Sequence, residues 1–151
     1  MNTFKNGTFT EFYMKAENTQ LNGPVTAWHA NGQIHQEATY RNGKAEGIAT
    51  DWYENGQLKR QGTYRKGKAE GLVTTWHENG QVASKTTYRN GKVEGIATDW
   101  YENGQIELEA TYKNGNFEGL VTTWHENGQV ASKETYTNGT LESIDYEKEA
   151  V

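Results

Sequence analysis

The chain has 151 residues, the length of one ordinary domain, with 33% apolar residues, a mean hydropathy of −0.99 and a formal net charge of −5. That charge disfavours nucleic acid and anionic membrane surfaces, which need basic patches, and it suits a basic partner. There is no cysteine, which excludes disulfide staples and thiolate zinc sites and fits a reducing cytoplasm.

Residues 1–22 open on MNTFKNGTFTEF, without the basic and apolar regions of a signal peptide. No apolar run approaches the ~18 residues of a membrane-spanning helix. Phe4 stands where a regular Trp would fall, and Asn6-Gly7 echoes a turn found at every later repeat. This stretch is expected to be a degenerate capping repeat, since terminal units of repeat proteins differ from internal ones.

From residue 23 to 139 the chain repeats itself five times. Trp recurs at 28, 52, 76, 100 and 124, Tyr at 40, 64, 88, 112 and 136, and Gly at 23, 47, 71, 95 and 119, always 24 apart. A period of 48 overlies this one. GLVTTWHENGQVASK at 71–85 returns unchanged at 119–133, and GIATDWYENGQ at 47–57 returns at 95–105. A catalytic signature needs to be written once; a structural module is written many times.

Within a unit the pattern reads strand, turn, strand, turn. Eleven of the seventeen Gly follow Asn, the strongest short hairpin signal. In IATDWY, Ile48, Thr50 and Trp52 alternate with Ala49, Asp51 and Tyr53. A two-residue Asn55-Gly56 loop would set Trp52 against Lys59. A three-residue Glu54-Asn55-Gly56 loop sets it against Leu58, and likewise Trp76 against Val82, Trp100 against Ile106 and Trp124 against Val130. Apolar facing apolar selects the three-residue loop, a type I turn closed by a left-handed Gly. The same argument extends to the second turn, such as Arg89-Asn90-Gly91. It places Leu58, Gly62 and Tyr64 on the face of Trp52. Two surplus residues per repeat predict a bulge around Gly47, Gly71, Gly95 and Gly119. The five Trp and these four Gly are read as structural. Successive Trp lie two strands apart, ~10 Å, with aliphatic and Tyr side chains between them.

Residues 140–151 begin a further repeat, but Ser143 replaces the Gly and no Trp follows, which marks a degenerate C-terminal cap or tail. The whole reads as an all-β fold, an elongated antiparallel β-meander of tandem 24-residue hairpin repeats with about 12 strands.

The repeated Gly47, Trp52, Tyr53-Glu54-Asn55-Gly56-Gln57, Tyr64 and Gly67 resemble the bacterial MORN-repeat variant, over roughly residues 22–139. The resemblance implies hairpin meanders and, in many members, a role as YwqK-type antitoxin or immunity protein. Eukaryotic MORN proteins are linked instead to membranes and protein scaffolding.

No catalytic constellation emerges from the residues. His29, His77 and His125 are 48 apart, which in a meander is four strands or ~19 Å, too far to share a metal ion. Glu54, Glu78, Glu102 and Glu126 are equivalent turn residues. Ser84 and Ser132 lack a nucleophile elbow and an acid–base partner. No enzyme activity and no cofactor are expected. The column after each Trp (His29, Tyr53, His77, Tyr101 and His125) differs between repeat types while Trp and Thr beside it stay constant. With Asp51 and Asp99 it is the expected partner-binding surface, since aromatics are enriched at interfaces. The leading functional expectation is a cytoplasmic antitoxin or immunity protein that binds a basic toxin. A general interaction scaffold is the alternative. The apolar sheet face leaves room for a homodimer.

Overall fold

The computed structural model describes residues 2–4 and 21–145. Twelve strands form one sheet in chain order: β1 (Asn2–Phe4), β2 (Gly23–Trp28), β3 (Ile34–Arg41), β4 (Lys44–Trp52), β5 (Leu58–Arg65), β6 (Lys68–Trp76), β7 (Val82–Arg89), β8 (Lys92–Trp100), β9 (Ile106–Lys113), β10 (Asn116–Trp124), β11 (Val130–Thr137) and β12 (Thr140–Asp145). From β2 to β12 every neighbour is antiparallel. The exception to the expected meander is β1, which runs parallel to β2 with Phe4 opposite Ala27. A parallel pair cannot be closed by a tight turn, so β1 is not one more hairpin arm. The expected Asn6-Gly7 turn and the end of the C-terminal tail lie outside the described residues.

The first turn of each repeat is the three-residue loop. Trp28, Trp52, Trp76, Trp100 and Trp124 pair with Ile34, Leu58, Val82, Ile106 and Val130. Gly56 sits at φ +83°, its N–H donating to the Tyr53 carbonyl, and the Tyr53 N–H donates to the Gln57 carbonyl. The second turn is different from the expectation. Arg89 pairs directly with Lys92, leaving a two-residue loop of Asn90 (φ 52°) and Gly91 (φ 79°). Two left-handed residues make a type I′ turn, whose twist matches that of the strands it joins. Apolar facing, applied to this turn, selects the shorter loop, since it sets Tyr88 against Val93 where a three-residue loop would set Tyr88 against Lys92.

The surplus residues lie where expected. Tyr40 pairs with Ala45 and Ala38 with Ala49, so β4 carries two extra residues around Gly47, whose φ is +89°. A second irregularity was not foreseen. Asp51 pairs with Arg60 but Trp52 with Leu58, which leaves Lys59 as an extra residue. This bulge switches the face of everything beyond it. Gly62 lies opposite Ala49 and Tyr64 opposite Gly47, so they join that face rather than the face of Trp52.

The core is correspondingly not the Trp column. All five Trp are half-buried. The most buried column crosses the sheet through Val25, Ala38, Ala49, Gly62, Val73, Thr86, Ala97, Ala110 and Val121 in consecutive pairings, and Val25, Val73, Ala97, Ala110 and Val121 are each below 8% exposure. At the N-terminal end Tyr40 packs on Val25, Ala38 and Ala49, with Leu21, Ala45 and Tyr64 against the same cluster. Towards the C-terminus Phe117 stacks between Tyr112 and Tyr136, at 4.7 and 5.0 Å between ring centroids. Small residues in one row and Tyr rings in the next let a single layer bury its own inner face. Ile48, Leu72, Ile96 and Leu120, each just after a bulge Gly, remain more than half exposed.

Candidate functional site

The loop rim of the sheet is built from side chains that reach one repeat forward. Nε2 of His29 donates to the Trp52 carbonyl (2.8 Å), the Tyr53 hydroxyl to the Trp76 carbonyl (2.8 Å), Nε2 of His77 to the Trp100 carbonyl (2.7 Å) and the Tyr101 hydroxyl to the Trp124 carbonyl (2.7 Å). A carbonyl only accepts, so His29 and His77 carry a proton on Nε2. Beside this ladder Asn31, Asn55, Asn79 and Asn103 each donate from Nδ2 to the carbonyl of the next repeat's Glu. The same Asn side chains accept from the Gln N–H two residues on. The opposite rim has its own ladder. Carboxylates of Glu46, Glu70, Glu94 and Glu118 accept the first N–H of the next type I′ turn at 2.8 Å.

Between successive loops the rim opens into shallow grooves. One, of about 370 Å³, is bounded by Asp51, Tyr53, Lys59, Arg60, Trp76 and His77. A second, of about 290 Å³, is bounded by Asp99, Tyr101, Glu107, Leu108, Trp124 and His125. A third, of about 440 Å³, has His29, Tyr53 and Glu54 in its wall. The expected partner-binding residues are therefore brought together on one rim. Their ring edges line open grooves while the tips of the first four hold the next repeat. The ring of His125, the last of the column, has no hydrogen-bond partner among the described residues.

The two aspartates stand in contrasting surroundings. Asp51 is buried and fully engaged: Oδ2 accepts from Arg60 Nε and lies 2.8 Å from its NH2, and Oδ1 accepts from Gln36 at 2.7 Å. Asp99 faces Leu108 and Ser84 in the strand pairing and has neither an ion pair nor a hydrogen bond among the described residues. Burial, reinforced by the nearby Glu107 carboxylate, pushes its carboxyl above the usual range. Burial also raises the Tyr53 hydroxyl, with Glu78 adding to it, and lowers His35, whose ring lies 4.6 Å from that of His29. In the alternate repeats the equivalent row is neutral, with Thr75 bonded to Ser84 and Thr123 to Ser132.

The sequence reading missed three features of this rim. The Asn ladder is invisible because the same Asn also serves the turn. The bulge at Lys59, which takes Gly62 and Tyr64 off the face of Trp52, leaves no compositional mark. The difference between the Lys59-Arg60 and Glu107-Leu108 pairs was open to view as a break in the 48-residue period. Among the described residues no group of three or more His, Cys, Asp or Glu is placed to hold a metal ion. Nor is any helix there long and apolar enough to cross a membrane.

Comparison with known families agrees with this architecture. The model of the MORN repeat variant matches residues 21–42, 45–66, 69–90, 93–114 and 117–138, more than half of the chain. No curated protein matches the chain.

Proposed function

The chain belongs to the MORN repeat variant family, and on that premise we propose that it is a non-catalytic protein-binding repeat protein that neutralises a basic cognate toxin in the cytoplasm by covering it. The observation that carries this reading is the loop rim, where His29, Tyr53, His77, Tyr101 and His125 line a row of open grooves bounded by Asp51 and Asp99. Aromatic rings held rigid by hydrogen bonds lose little entropy when a partner docks. An acidic rim accelerates the approach of a basic protein. The grooves are shallow and open, which suits protruding side chains of a protein better than an enclosed small molecule. A second copy of the chain, if one packs, would use the other face through Ile48, Leu72, Ile96 and Leu120.

The test is co-expression of the chain with the basic protein that purified chain captures from the native lysate. Restored growth, with association slowed by added salt, supports neutralisation. Capture without any effect on that protein's toxicity leaves a scaffold and overturns the antitoxin reading.

A further inference from the structure

The grooves at Asp51 and Asp99 are one structure written twice, 48 residues apart. Their walls coincide at Asp51 and Asp99, Tyr53 and Tyr101, Trp76 and Trp124, and His77 and His125. They differ only where Lys59 and Arg60 become Glu107 and Leu108. In the first groove the chain supplies its own cations. The Arg60 guanidinium sits on Asp51 at 2.8 Å, and the Lys59 ammonium lies 5.3 Å from the centre of the Tyr53 ring, within cation–π reach. In the second groove the carboxylate and the ring are retained and both cations are gone. No Lys or Arg lines it, and Glu107 adds a second negative charge beside Asp99.

We propose that the Asp99–Tyr101 groove is a receptor for a basic side-chain pair of a protein partner, an arginine on Asp99 and a lysine over Tyr101. The internal copy is the template: the same aspartate and tyrosine already hold these two cations in the first groove. Charge complementarity fixes the occupant's sign, since the first groove has a net positive lining and the second a net negative one. Leu108, in place of Arg60, offers an apolar wall along which the aliphatic stem of an entering arginine can lie. An aspartate left half-buried without a partner opposes folding, and an incoming guanidinium removes that penalty on binding. This inference rests on the protein-binding reading above and adds which groove anchors the partner and by what chemistry.

The experiment uses the full chain and an acetylated Lys-Arg dipeptide amide, followed by backbone and Trp indole NMR shifts. Saturable shifts are expected at residues 99–108 and at Trp124, and not at the equivalent residues 51–60 and Trp76. The variant Glu107→Lys/Leu108→Arg fills the groove with the pair its sister already carries, so it should fold and melt at a higher temperature. It should weaken dipeptide binding at least ~10-fold, and Asp99→Asn should do likewise. Shifts of equal size at both grooves, or undiminished binding to the double variant, would overturn the proposal. Because the dipeptide needs no natural partner, its binding stands or falls separately from the antitoxin reading. Full-strength capture of the lysate protein by the double variant would remove the groove as anchor and leave protein binding itself intact.

Discussion

The hydroxyl of Tyr53 is the contact that best separates a hydrogen-bonded repeat stack from one held by aromatic burial alone. Tyr53→Phe keeps the ring and deletes one donor to the Trp76 carbonyl. A net intramolecular hydrogen bond is worth about 0.5–1.5 kcal/mol. The rim is close to solvent, so water can take over the freed carbonyl, and the lower half of that range, about 0.5–1 kcal/mol, is expected. Tyr53→His is the informative control. It removes apolar area but keeps a ring donor, and His29 and His77 already make this bond in sister repeats. It should therefore cost less than Tyr53→Phe, although a simple burial argument ranks the two the other way. Tyr53→Phe/Tyr101→Phe should sum to about 1–2 kcal/mol, since the two bonds share no partner. Urea unfolding followed by Trp fluorescence, with an unchanged denaturant slope, measures all three. Tyr53→His proving as costly as Tyr53→Phe, or a loss below ~0.3 kcal/mol for Tyr53→Phe, would refute the reasoning.

Other expectations come from the backbone and the aspartates. Lys66 is held at φ 51° where four sister turns use Asn; because Asn tolerates the left-handed region better, Lys66→Asn should stabilise by about 0.5–1 kcal/mol in the same assay. Gly56→Val forces a β-branched residue to φ +83° and should cost at least about 2 kcal/mol, a neutral outcome being incompatible with the bulged loop. Asp51→Asn should destabilise by about 1 kcal/mol after allowance for the exposure of Arg60. Asp99→Asn should be neutral to stabilising at pH 7. Its folded pKa is raised above the ordinary 3.8 by burial and Glu107, so the ionised form opposes folding. Stability relative to Asp99→Asn should fall as pH rises from 3.8 through that raised value, and the two proteins should converge below pH 3.8. Parallel pH profiles for the two proteins would show that Asp99 titrates alike in both states.

Much of the fold was legible because it is written in residues that admit few conformations. Eleven Asn-Gly pairs and a strict 24-residue step left a hairpin meander as the reading, and the Trp–Leu58 facing chose the correct loop. Facing works only where one register is apolar and the other is not. At Arg89-Asn90-Gly91 the two-residue loop satisfies it, with Tyr88 on Val93 rather than on Lys92, and the intrinsic preference of Asn-Gly for a type I′ turn points the same way. The bulge at Lys59 leaves no mark in composition, because any residue can be the extra one. Its effect is large, since a one-residue slip exchanges the faces of a strand. That single irregularity explains why Gly62 and Tyr64 do not share the face of Trp52 as expected. The column after each Trp was legible as one spatial row, yet the reason for its His/Tyr variation was hidden. Both rings end in a hydrogen-bond donor at a suitable reach, so a structural bond tolerates the exchange that looks like tuning to a partner.

Among the described residues the two rims end differently, and the type I′ rim tolerates the broken periodicity after residue 139. On the type I′ rim each turn takes a side-chain oxygen from the stretch before it, an amide oxygen of Asn22 at Asn42 and a Glu carboxylate at the later turns, and Asn138-Gly139 still receives Glu118 and donates from Gly139 to the Phe117 carbonyl. That ladder asks nothing of residues beyond the turn, so the tail can lose its Gly and Trp without leaving it unsatisfied. On the loop rim each donor needs a carbonyl from the repeat after it. The ring of His125 has no acceptor among the described residues, and Asn127 turns back to Gln129 within its own loop. Among the described residues, forward-reaching donors therefore leave the ring of His125 at the C-terminal end of the loop rim without an acceptor. It is also the rim position that borders the Asp99 groove. Among the described residues, the repeat chemistry thus leaves the His125 ring unconsumed by the fold's hydrogen bonds, beside the acidic Asp99 groove.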